Sequence, residues 1–469
     1  MNLKAFKAYD VRGRIPDEIN TDLARRLGHA YAAFVKPKKV IVGRDIRHSS
    51  EELVQALTIG LLESGVDVYD IGLCGTEGVY YATFAERMDG GIMVTASHNP
   101  PDYNGMKFVR EGSRPISGDT GLVTMRDWLA AHAAGDAASG AASAASAGAG
   151  GRTGRRHVLA TGARYLEHLL GYVDRAKLRR LKVVVNAGNG GAGLIVDQLE
   201  PHLPFEFVKL NNAPDGSFPN GVPNPMLEAN RTSTIEAIRR AGADVGIAWD
   251  GDYDRCFFFD EQGTFIEGYY LVGLLAEVFL KREKGGRIVH DPRLTWNTID
   301  VVKRNGGKAV LSKSGHAFIK QVMREVDGIY GGEMSAHHYF RDFSYCDSGM
   351  IPWLIVLQVM CESGKSLSEL VGERMRLFPA SGEINRRVPD SPGTIAAIRA
   401  KYEPKALAVD FTDGLSLEFD RWRMNLRTSN TEPLIRLNVE SRGDAALMQA
   451  KTEEVLGEMA KLGAVAADH

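Results

Sequence analysis

Cysteine is scarce in this sequence, and the few residues present are too scattered for a zinc site or a disulfide framework, which both need closely spaced or regularly patterned cysteines. The 469 residues include four: Cys74, Cys256, Cys346 and Cys361. None of them belongs to a CxxC pair. We therefore expect free, reduced thiols and a protein whose core is held together by packing.

An excess of charge and a long apolar run are also missing. The formal net charge is -2, which gives no field that would favour nucleic acid or an anionic membrane. No apolar run approaches the roughly 20 residues of a membrane span. The opening residues, MNLKAFKAYDVRGR, contain no apolar targeting segment. These absences favour a cytoplasmic protein with neither a nucleic-acid partner nor a membrane partner.

What is present is an alternation of short β-branched runs with longer amphipathic stretches. The runs KKVIVGRD, GIMVTAS, KVVVNAG, ADVGIAWDGD, GRIVHD and KAVLSKSG are typical of buried strands. Their alternation with helical patterns predicts the α/β class, with parallel sheets covered by helices. In such sheets the ligand-binding loops follow the carboxyl ends of the strands.

The length predicts several domains, because 469 residues exceed a single hydrophobic core. Residues 130–156 are Ala, Gly and Ser with little to bury, which is typical of a flexible surface insert. A second change of composition occurs at LFPASGEINRRV, before a tail that reads as a smaller α+β unit. The predicted domains are 1–155, 156–258, 259–375 and 376–469.

The segment VTASHNPPDYNGMK places a serine and a lysine around a stiff turn. Ser97 follows a predicted strand, Pro100 and Pro101 restrict the turn, and Lys107 returns a positive charge to the same edge. An ordinary turn rich in Ser, Asn and Pro is the alternative. A Ser-His hydrolase is disfavoured, because Ser97 and His98 are neighbours on a strand end, where they should point in opposite directions, and no G-x-S-x-G surrounds them.

The segment AWDGDYDR places three aspartates at alternating positions after an apolar run. In an extended chain Asp250, Asp252 and Asp254 point to one side, and an oxygen-only cluster of this kind suits Mg²⁺. The spacing also resembles the start of an EF-hand, but Arg255 stands where that loop needs Gly. A solvated acidic turn is the remaining alternative. Arg255, beside the metal, would suit a phosphate.

The segment GGEMSAHHYF predicts a hydroxyl-reading surface. If it is a strand, Glu333, Ser335 and His337 alternate onto one face. That face offers an anionic acceptor, a hydroxyl and an imidazole, which suit the vicinal hydroxyls of a sugar and proton transfer near neutral pH. A polar surface strand with no ligand is the alternative.

The segment LRTSNTEPLIR predicts a phosphate cradle, since an arginine can bond two phosphate oxygens while small side chains donate singly. The cradle residues are Arg427, Thr428, Ser429, Asn430, Thr431 and Arg436. The alternative is a helix N-cap, with SNTEP opening a helix.

Two nucleotide-binding motifs match only in part. GNGGAG, residues 188–193, has the spacing of a dinucleotide loop, but the next predicted strand, FEFVKLNN, ends in Asn instead of an acidic residue. ESGKS carries the end of a Walker A loop, but Val359 stands where its first Gly belongs. We therefore expect neither NAD nor a P-loop nucleotide.

Together these motifs resemble the α-D-phosphohexomutase family. KAYDVRG, TASHNPPDYNGMK, DGDYDR, KSGHAFIK, GEMSAHHYF and RTSNTEPLIR occur in the family's order over nearly the whole chain. The form GEMSAHHYF is similar to the bacterial phosphomannomutase and phosphoglucomutase branch. The resemblance implies a heart-shaped enzyme of four domains, three related α/β domains and a smaller C-terminal α+β domain, around one cleft. The Ala/Gly/Ser insert departs from the family's usual length.

The resemblance also implies roles for individual residues. Ser97 would be the phosphoserine, and its phosphate would share Mg²⁺ with Asp250, Asp252 and Asp254. The residues around the transferring group would be Arg12, His98, Lys107 and Arg255, with His337 a candidate general acid or base. Sugar hydroxyls would bind Glu333 and Ser335. The distal phosphate would bind Arg427, Ser429, Asn430, Thr431 and Arg436, and the pocket would be completed by Tyr9, Lys313 and His316.

The activity implied is the interconversion of hexose 6-phosphate and hexose 1-phosphate, of mannose and also of glucose, for the synthesis of nucleotide sugars and polysaccharides. The reaction would pass through hexose 1,6-bisphosphate, which would also act as activator. The implied partner is a small phosphosugar, and we expect a monomer. A phosphoglucosamine mutase, a Mg²⁺-dependent sugar phosphatase and a non-catalytic sugar-phosphate binding protein are the alternatives.

Overall fold

The computed structural model describes residues 3–132, 152–428 and 434–467. Most of the predicted insert, residues 133–151, lies outside the described residues. The chain divides into two compact units: Met1–Cys256 with Cys346–Glu362, and Phe257–Tyr345 with Ser363–His469. Across the described ranges, every helix is too short or too polar to cross a membrane.

The first sheet belongs to the first unit and is mixed. Its strands are β1 (Val11–Arg14), β2 (Lys39–Arg44), β3 (Asp67–Leu73), β4 (Gly90–Val94), β5 (Tyr103–Arg110), β6 (Arg114–Pro115) and β7 (Arg156–Val158). Its helices are α1 (Thr21–Val35), α2 (Ser50–Glu63), α3 (Thr76–Ala85) and α4 (Leu122–His132). The order is β1-β5-β4-β2-β3-β7, with β6 beside β5.

Strands β4, β2, β3 and β7 of this sheet are parallel, and β5 runs antiparallel to both β4 and β1. Strand β2 is buried from Val40 to Gly43, as expected for a β-branched strand covered on both faces. Because β7 pairs with β3, the first sheet extends three residues past the predicted domain boundary at 155. The boundary placed at residue 155 is therefore slightly too early.

Within the first unit, the second sheet consists of three parallel strands in the order β10-β8-β9. Its strands are β8 (Lys182–Asn186), β9 (Glu206–Leu210) and β10 (Val245–Trp249), and its helices are α5 (Gly162–Leu170), α6 (Ala192–Leu199) and α7 (Thr232–Ala241). The glycine-rich loop after β8 packs against the loop after β10. A Cβ added to Gly190 would lie 2.9 Å from the carbonyl oxygen of Gly251, and one added to Gly191 would lie 2.8 Å from the ring of Tyr253. Close packing thus accounts for these glycines.

The third sheet belongs to the second unit. From residue 256 to residue 340 the elements are, in chain order, β11 (Cys256–Phe259), β12 (Phe265–Ile266), α8 (Gly268–Arg282), β13 (Arg287–His290), α9 (Trp296–Arg304), β14 (Lys308–Leu311), α10 (His316–Val326), β15 (Gly328–Gly332) and β16 (His338–Phe340). The third sheet begins with β13. Strands β11 and β12 form an antiparallel pair. Strand β13 lies parallel between β14 and β15, and β16 runs antiparallel to β15.

The chain then returns to the first unit in β17 (Cys346–Asp347) and nearly all of α11 (Ile351–Ser363). The buried carboxylate of Glu77, on α3, anchors this return because its Oε2 accepts the backbone N–H of Gly349 at 2.6 Å. The ring of Trp353 packs edge-on against Trp249, with 6.2 Å between ring centroids. The return segment is therefore held by α3, which packs beside the first sheet, and by β10 of the second sheet.

The fourth sheet lies in the second unit and is antiparallel in the order β19-β20-β21-β22-β18-β23. The elements are α12 (Leu367–Leu377), β18 (Ile384–Arg387), α13 (Ser391–Tyr402), β19 (Ala408–Asp410), β20 (Leu415–Glu418), β21 (Trp422–Thr428), β22 (Leu434–Ser441), α14 (Ala445–Lys461) and β23 (Val465–Ala466). One face of this sheet packs on α13 and α14 through a core that includes Leu417, Met424, Val439 and Val455. The predicted alternation of strands and helices, and the smaller C-terminal α+β unit, are confirmed.

Candidate active site

The serine turn, residues 95–103, follows the carboxyl end of β4. Ser97 is 4% exposed and has a left-handed backbone with φ of 48°. Its N–H donates to Oγ1 of Thr95 at 2.9 Å. Its hydroxyl donates to Oδ2 of Asp250 at 3.1 Å, so that a serine after the first sheet meets a carboxylate after the second.

The expectation that Ser97 and His98 point in opposite directions is wrong. The left-handed conformation at Ser97 breaks the alternation of a strand, and Nδ1 of His98 lies 3.1 Å from Oγ of Ser97. Nδ1 also accepts from Nη2 of Arg255 at 2.5 Å. Because a guanidinium can only donate, this ring carries its proton on Nε2, and its Nδ1 lone pair is already engaged. Burial, and then the charge of Arg255, hold the pKa of His98 well below its usual range. His98 is therefore neutral and not arranged to activate Ser97 as in a hydrolase.

The acidic cluster is the loop after β10. Asp250, Asp252 and Asp254 are each no more than 2% exposed, and one ligand atom from each lies within 4.8 Å of the others. Nζ of Lys107 lies 2.7 Å from Oδ2 of Asp252 and 2.6 Å from Oδ2 of Asp254. Nη2 of Arg255 lies 2.7 Å from Oδ2 of Asp250. Three carboxylates thus share two cations among the described contacts, which leaves the cluster with net negative charge.

Lys107 reaches this cluster because β5 runs back along β4, with Lys107 opposite Met93. Burial acts to lower the pKa of Lys107, but the charges of Asp252 and Asp254 outweigh it and raise the pKa above its usual value. Burial likewise acts to raise the pKa of Asp252, and Lys107 outweighs it and lowers that pKa. The lysine is therefore a permanent ammonium and Asp252 a permanent carboxylate at neutral pH.

The donor set fits a hard divalent cation, since every converging ligand atom is a carboxylate oxygen. Within the described residues, Oδ1 of Asp252 is buried and accepts no hydrogen bond. Its other oxygen, Oδ2, accepts from Oγ1 of Thr76, at the start of α3, at 2.5 Å. A buried carboxylate oxygen without a donor is costly unless a cation meets it. The EF-hand alternative is wrong, because Cys256 directly after Arg255 begins β11.

Arg12 adds a third cation near the serine turn. It lies on β1 opposite Gly105 of β5, and its Nη1 donates to Oδ1 of Asn99 at 2.7 Å. Its Nη2 lies 2.5 Å from Oδ2 of Asp10. Tyr9, half-buried, comes just before Asp10. Sequence reasoning missed Asp10, Asn99 and Thr76, although the position of Thr76 at the start of a helix after β3 could have indicated it.

The segment GGEMSAHHYF of the second unit, predicted to bind sugar hydroxyls, contains a turn where a strand was expected. After β15 the chain reverses: the N–H of Glu333 donates to the carbonyl of His337 at 3.0 Å, and Ala336 has φ of 68°. The predicted alternation of Glu333, Ser335 and His337 onto one strand face is therefore wrong, because Glu333 and His337 close the turn. The small residue at position 336 accepts the left-handed conformation that the turn requires.

The turn nevertheless groups the predicted side chains. Oε1 of Glu333 accepts from the N–H of Gly315 at 2.8 Å, and its Oε2 accepts from the hydroxyl of Tyr339 at 2.5 Å. Nη2 of Arg293 lies 3.3 Å from Oε1 of Glu333 and 3.2 Å from Oγ of Ser335. Glu333 and Ser335 therefore share one guanidinium, which sequence reasoning missed.

Three further predicted residues of this unit, Lys313, His316 and His337, lie against aromatic rings. The rings of His316 and His337 are 6.5 Å apart between centroids. The ring of His337 also lies 6.1 Å from that of Tyr339, whose hydroxyl bonds Glu333. Lys313, just after β14, places its Nζ 5.6 Å from the ring of Phe318. The imidazole of His337 is thus linked to Glu333 through Tyr339, and His316 lies beside His337.

Three arginines converge on the carboxylate of Glu383, which precedes β18. Arg427 and Arg436 face each other across β21 and β22. Their guanidinium groups lie 2.8 Å and 3.2 Å from Oε2 and Oε1 of Glu383, and Nη1 of Arg293 lies 3.5 Å from Oε2. Burial acts to raise the pKa of Glu383, but Arg427, Arg293 and Arg436 outweigh it and lower the pKa to about 2. This carboxylate orders the predicted phosphate-binding arginines.

The segment predicted to bind phosphate, LRTSNTEPLIR, is described only in part. Ser429, Asn430 and Thr431, predicted to bind phosphate, lie outside the described residues. The alternative of a helix opening at SNTEP is wrong, because Leu434 begins the strand β22. Glu383 and Arg293 carried no local signal in GEINRR or HDPRLT, although Arg293 follows the carboxyl end of β13.

Comparison with known proteins gives four matches along the chain. Family profiles described as phosphoglucomutase/phosphomannomutase alpha/beta/alpha domains I, II and III match residues 3–122, 163–263 and 267–378, and that of the C-terminal domain matches residues 383–457. The chain is 58% identical over 455 residues to "Phosphohexose mutases" of Xanthomonas campestris pv. campestris (strain B100), covering 97% of this chain and 99% of that one.

Two further relatives agree with these matches. The chain is 55% identical over 459 residues to a phosphomannomutase of Escherichia coli (strain K12), covering 97% of this chain and 98% of that one. It is similar to the crystal structure of a phosphoglucomutase/phosphomannomutase family protein from Burkholderia thailandensis, with a TM-score of 0.86, 32% identity and 99% of each chain covered. The predicted fold class, three α/β domains and a C-terminal domain, is thereby confirmed.

Proposed function

This chain belongs to the phosphoglucomutase/phosphomannomutase family and is a hexose phosphate mutase, and we propose that Ser97 is the residue that carries the phosphoryl group it moves. The observation that carries this proposal is the 3.1 Å contact between Oγ of Ser97 and Oδ2 of Asp250, inside a buried cluster of three carboxylates. A serine ester at this position would lie beside both a cation site and a group of fixed positive charges.

We propose Mg²⁺ as the cation of this cluster. Asp250, Asp252 and Asp254 would hold it, together with an oxygen of the phosphate on Ser97. Oxygen-only donors and a buried carboxylate oxygen without a hydrogen bond support this choice. When bound, the ion would neutralise charge that develops on the transferring phosphoryl group.

The charged side chains of the first unit would stabilise the same group. Lys107, Arg255 and Arg12 are fixed by ion pairs with aspartates, so that their positive charges are in place before the reaction begins. Such preorganised charge is the main contribution that a protein can make to phosphoryl transfer. His98, neutral and bonded to Arg255, would donate from Nε2 and would not accept a proton at Nδ1.

The proposed reaction has two transfers. In the first, the O–P bond of phosphorylated Ser97 breaks as the free hydroxyl oxygen of a hexose monophosphate bonds to phosphorus, which gives hexose 1,6-bisphosphate. The proton of that hydroxyl leaves to a base, for which we propose His337, and Oγ of Ser97 gains a proton. In the second transfer Ser97 takes the other phosphate, the proton moves in the opposite sense, and the isomeric monophosphate is released. Added hexose 1,6-bisphosphate would activate unphosphorylated enzyme by the same step.

We assign recognition of the sugar and of its distal phosphate to the second unit. Glu333 and Ser335 would bind the 3- and 4-hydroxyl groups. Arg427 and Arg436, with Ser429, Asn430 and Thr431, would bind the phosphate that does not react, and Lys313 and His316 would complete the pocket. Tyr9, in the first unit, keeps the substrate-binding role that the family resemblance implies. Mannose and glucose differ only at C2, so that these contacts are the same for both. We therefore propose that mannose and glucose phosphates are both substrates.

The test is a Ser97→Ala variant, assayed with mannose 1-phosphate and with glucose 1-phosphate. Without the hydroxyl no ester forms, and we expect mutase activity at background for both sugars. Ser64→Ala, a half-buried serine at the end of α2, is the matched control and should stay within about twofold of the wild type. Full mutase activity of Ser97→Ala would contradict the covalent role. The cytoplasmic location and the monomeric state stay predictions from the sequence.

A further inference from the structure

Four backbone carbonyl oxygens of the serine turn converge on one side chain, the guanidinium of Arg47. Its Nη2 donates to the carbonyls of Ser97 at 2.9 Å and Asn99 at 2.6 Å. Its Nη1 donates to the carbonyls of Pro100 at 2.7 Å and Tyr103 at 3.0 Å. A planar guanidinium presents its donors in fixed directions, so that it holds all four carbonyls in a single arrangement.

Arg47 is itself held by Asp45 and Phe218. Its backbone N–H donates to Oδ1 of Asp45 at 3.0 Å, and its Nε lies 3.4 Å from Oδ2 of the same carboxylate. The ring of Phe218 covers the guanidinium, with Cζ 5.2 Å from the ring centroid. The side chain is 1% exposed. It therefore has no free face with which to touch a substrate, and any effect it has on the reaction passes through the serine turn.

The conformation that Arg47 holds is one that a serine adopts reluctantly. A left-handed backbone is unfavourable for a residue other than glycine, and Ser97 has φ of 48°. The carbonyl of Ser97 is also confined by Gly251, where an added Cβ would come within 2.5 Å of that oxygen. The carbonyl is fixed between Arg47 and Gly251. The remaining freedom of Ser97 is rotation about its Cα–Cβ bond, which moves Oγ, and Oγ donates to Asp250.

We propose that Arg47 is a positioning residue for phosphoryl transfer, which acts by holding the carbonyls of the serine turn so that Oγ of Ser97 stays beside Asp250. The proposal rests on the function proposed above for Ser97. Because Arg47 lies behind the turn, its loss changes the alignment of the reacting oxygen and leaves the contacts to the sugar intact. The expected signature is a decrease of kcat at unchanged KM.

The experiment compares Arg47→Lys with Arg44→Lys. Lysine keeps the charge at position 47 but cannot bond four carbonyls at once. A misplacement of the reacting atom on the order of 1 Å predicts a kcat about 100-fold below the wild type, with KM within about twofold. Arg44, three residues earlier, pairs with Glu51 at 2.5 Å and touches no part of the serine turn in the described contacts. Arg44→Lys should keep both constants within about twofold of the wild type.

A folded Arg47→Lys enzyme with the kcat of the wild type, or one that loses activity only through KM, would overturn the proposal. If Arg47→Lys does not fold, Phe218→Leu is the variant that tests the proposal. It removes the ring that covers the guanidinium of Arg47 and leaves the hydrogen bonds of Arg47 in place. A kcat lowered about 3- to 10-fold at unchanged KM then supports the proposal, and an unchanged kcat overturns it. Ser97→Ala is measured in parallel. Wild-type activity in that variant would contradict both the role proposed for Ser97 and the role proposed for Arg47. A normal Arg47→Lys together with an inactive Ser97→Ala would contradict the role of Arg47 alone.

Discussion

In the first unit three carboxylates share two cations, whereas in the second unit three arginines meet at the carboxylate of Glu383, and one of them, Arg293, also pairs with Asp291 and Glu333. Asp250, Asp252 and Asp254 meet Lys107 and Arg255 among the described residues. The clustered acids keep a negative charge that attracts a divalent cation.

The second unit has the opposite arrangement around Glu383. Arg293, Arg427 and Arg436 all lie within 3.5 Å of its carboxylate oxygens. Arg293 is balanced by further pairs with Asp291 at 2.8 Å and Glu333 at 3.3 Å, whereas the described ion pairs of Arg427 and Arg436 are those with Glu383. Two guanidinium groups around one carboxylate keep a positive charge that is suited to a phosphate, and Glu383 fixes their directions. The comparison supports our proposal that the same residue types, buried in different ratios, favour a cation in one unit and an anion in the other.

The largest effect is expected from removing a negative charge from the first unit. Asp252→Asn keeps the size of the side chain but loses the charge that meets Lys107 and the proposed Mg²⁺. We expect kcat to fall about 100- to 1,000-fold, the effect of losing one preorganised group at the transferring charge. Steady-state kinetics with Mg²⁺ titration measures both kcat and the Mg²⁺ requirement.

The control for this variant is Asp22→Asn, on the surface of α1, where Asp22 is 70% exposed and pairs with Arg26. Its kcat should stay within about twofold of the wild type, since an exposed ion pair contributes little. An Asp252→Asn enzyme with an unchanged Mg²⁺ requirement and unchanged kcat would contradict the assignment of a cation site to the acidic cluster.

A smaller effect, on stability, is expected from removing the one negative charge that the three arginines share. The folded-state pKa of Glu383 is about 2, below its ordinary value of 4.5. Its charge therefore stabilises the folded state above pH 4.5, and this stabilisation, about 3 kcal/mol, is lost as the pH falls from 4.5 to about 2. Glu383→Gln should be less stable than the wild type at pH 7 and should lose less stability between pH 7 and pH 3.

Urea unfolding of the full chain at these two pH values measures the difference. Glu325→Gln is the matched control, because Glu325 lies on the exposed side of α10 in the same unit and, among the described hydrogen bonds, accepts from Gln321 alone. It should follow the wild-type pH dependence. Parallel pH dependences of wild type and Glu383→Gln would show that the arginines do not depend on this carboxylate.

The placement of separate motifs in ligand-binding loops could be predicted from the sequence, because each motif follows the carboxyl end of a buried strand. Ser97 follows β4 of the first sheet and Asp250 follows β10 of the second, and ligand-binding loops lie at the carboxyl ends of the strands in each such sheet. The alternation of the aspartates also indicated their grouping correctly. Burial patterns and strand ends therefore indicate which residues belong to such loops, whereas the meeting of loops from two sheets was implied by the family resemblance alone.

Local conformation at the site could not be predicted in the same way. The contact between Ser97 and His98 depends on a left-handed residue, and the turn at Glu333 depends on another at Ala336. Both are positions where a residue other than glycine adopts φ above zero, which the alternating pattern of a strand does not indicate. Tertiary contacts hold these conformations, so that the sequence around them carries no signal.

The supporting arginines and Glu383 were missed for a related reason. Arg47 lies in GRDIRHSS and Glu383 in GEINRR, where neither neighbour nor spacing indicates a partner. Their roles arise from contacts with residues about 40 to 50 positions away in the chain. Long-range packing determines such contacts, and motifs in a single sequence do not predict them.

The most direct test of the central role of Ser97 is to locate the phosphate on the protein. The full-length enzyme is incubated with hexose 1,6-bisphosphate and Mg²⁺, digested, and the peptide that carries the added phosphate is sequenced by mass spectrometry. Our account predicts one phosphate per chain on Ser97, removed again when excess hexose 6-phosphate is added. Phosphate on another residue, or continued mutase turnover with Ser97 never phosphorylated, would contradict it.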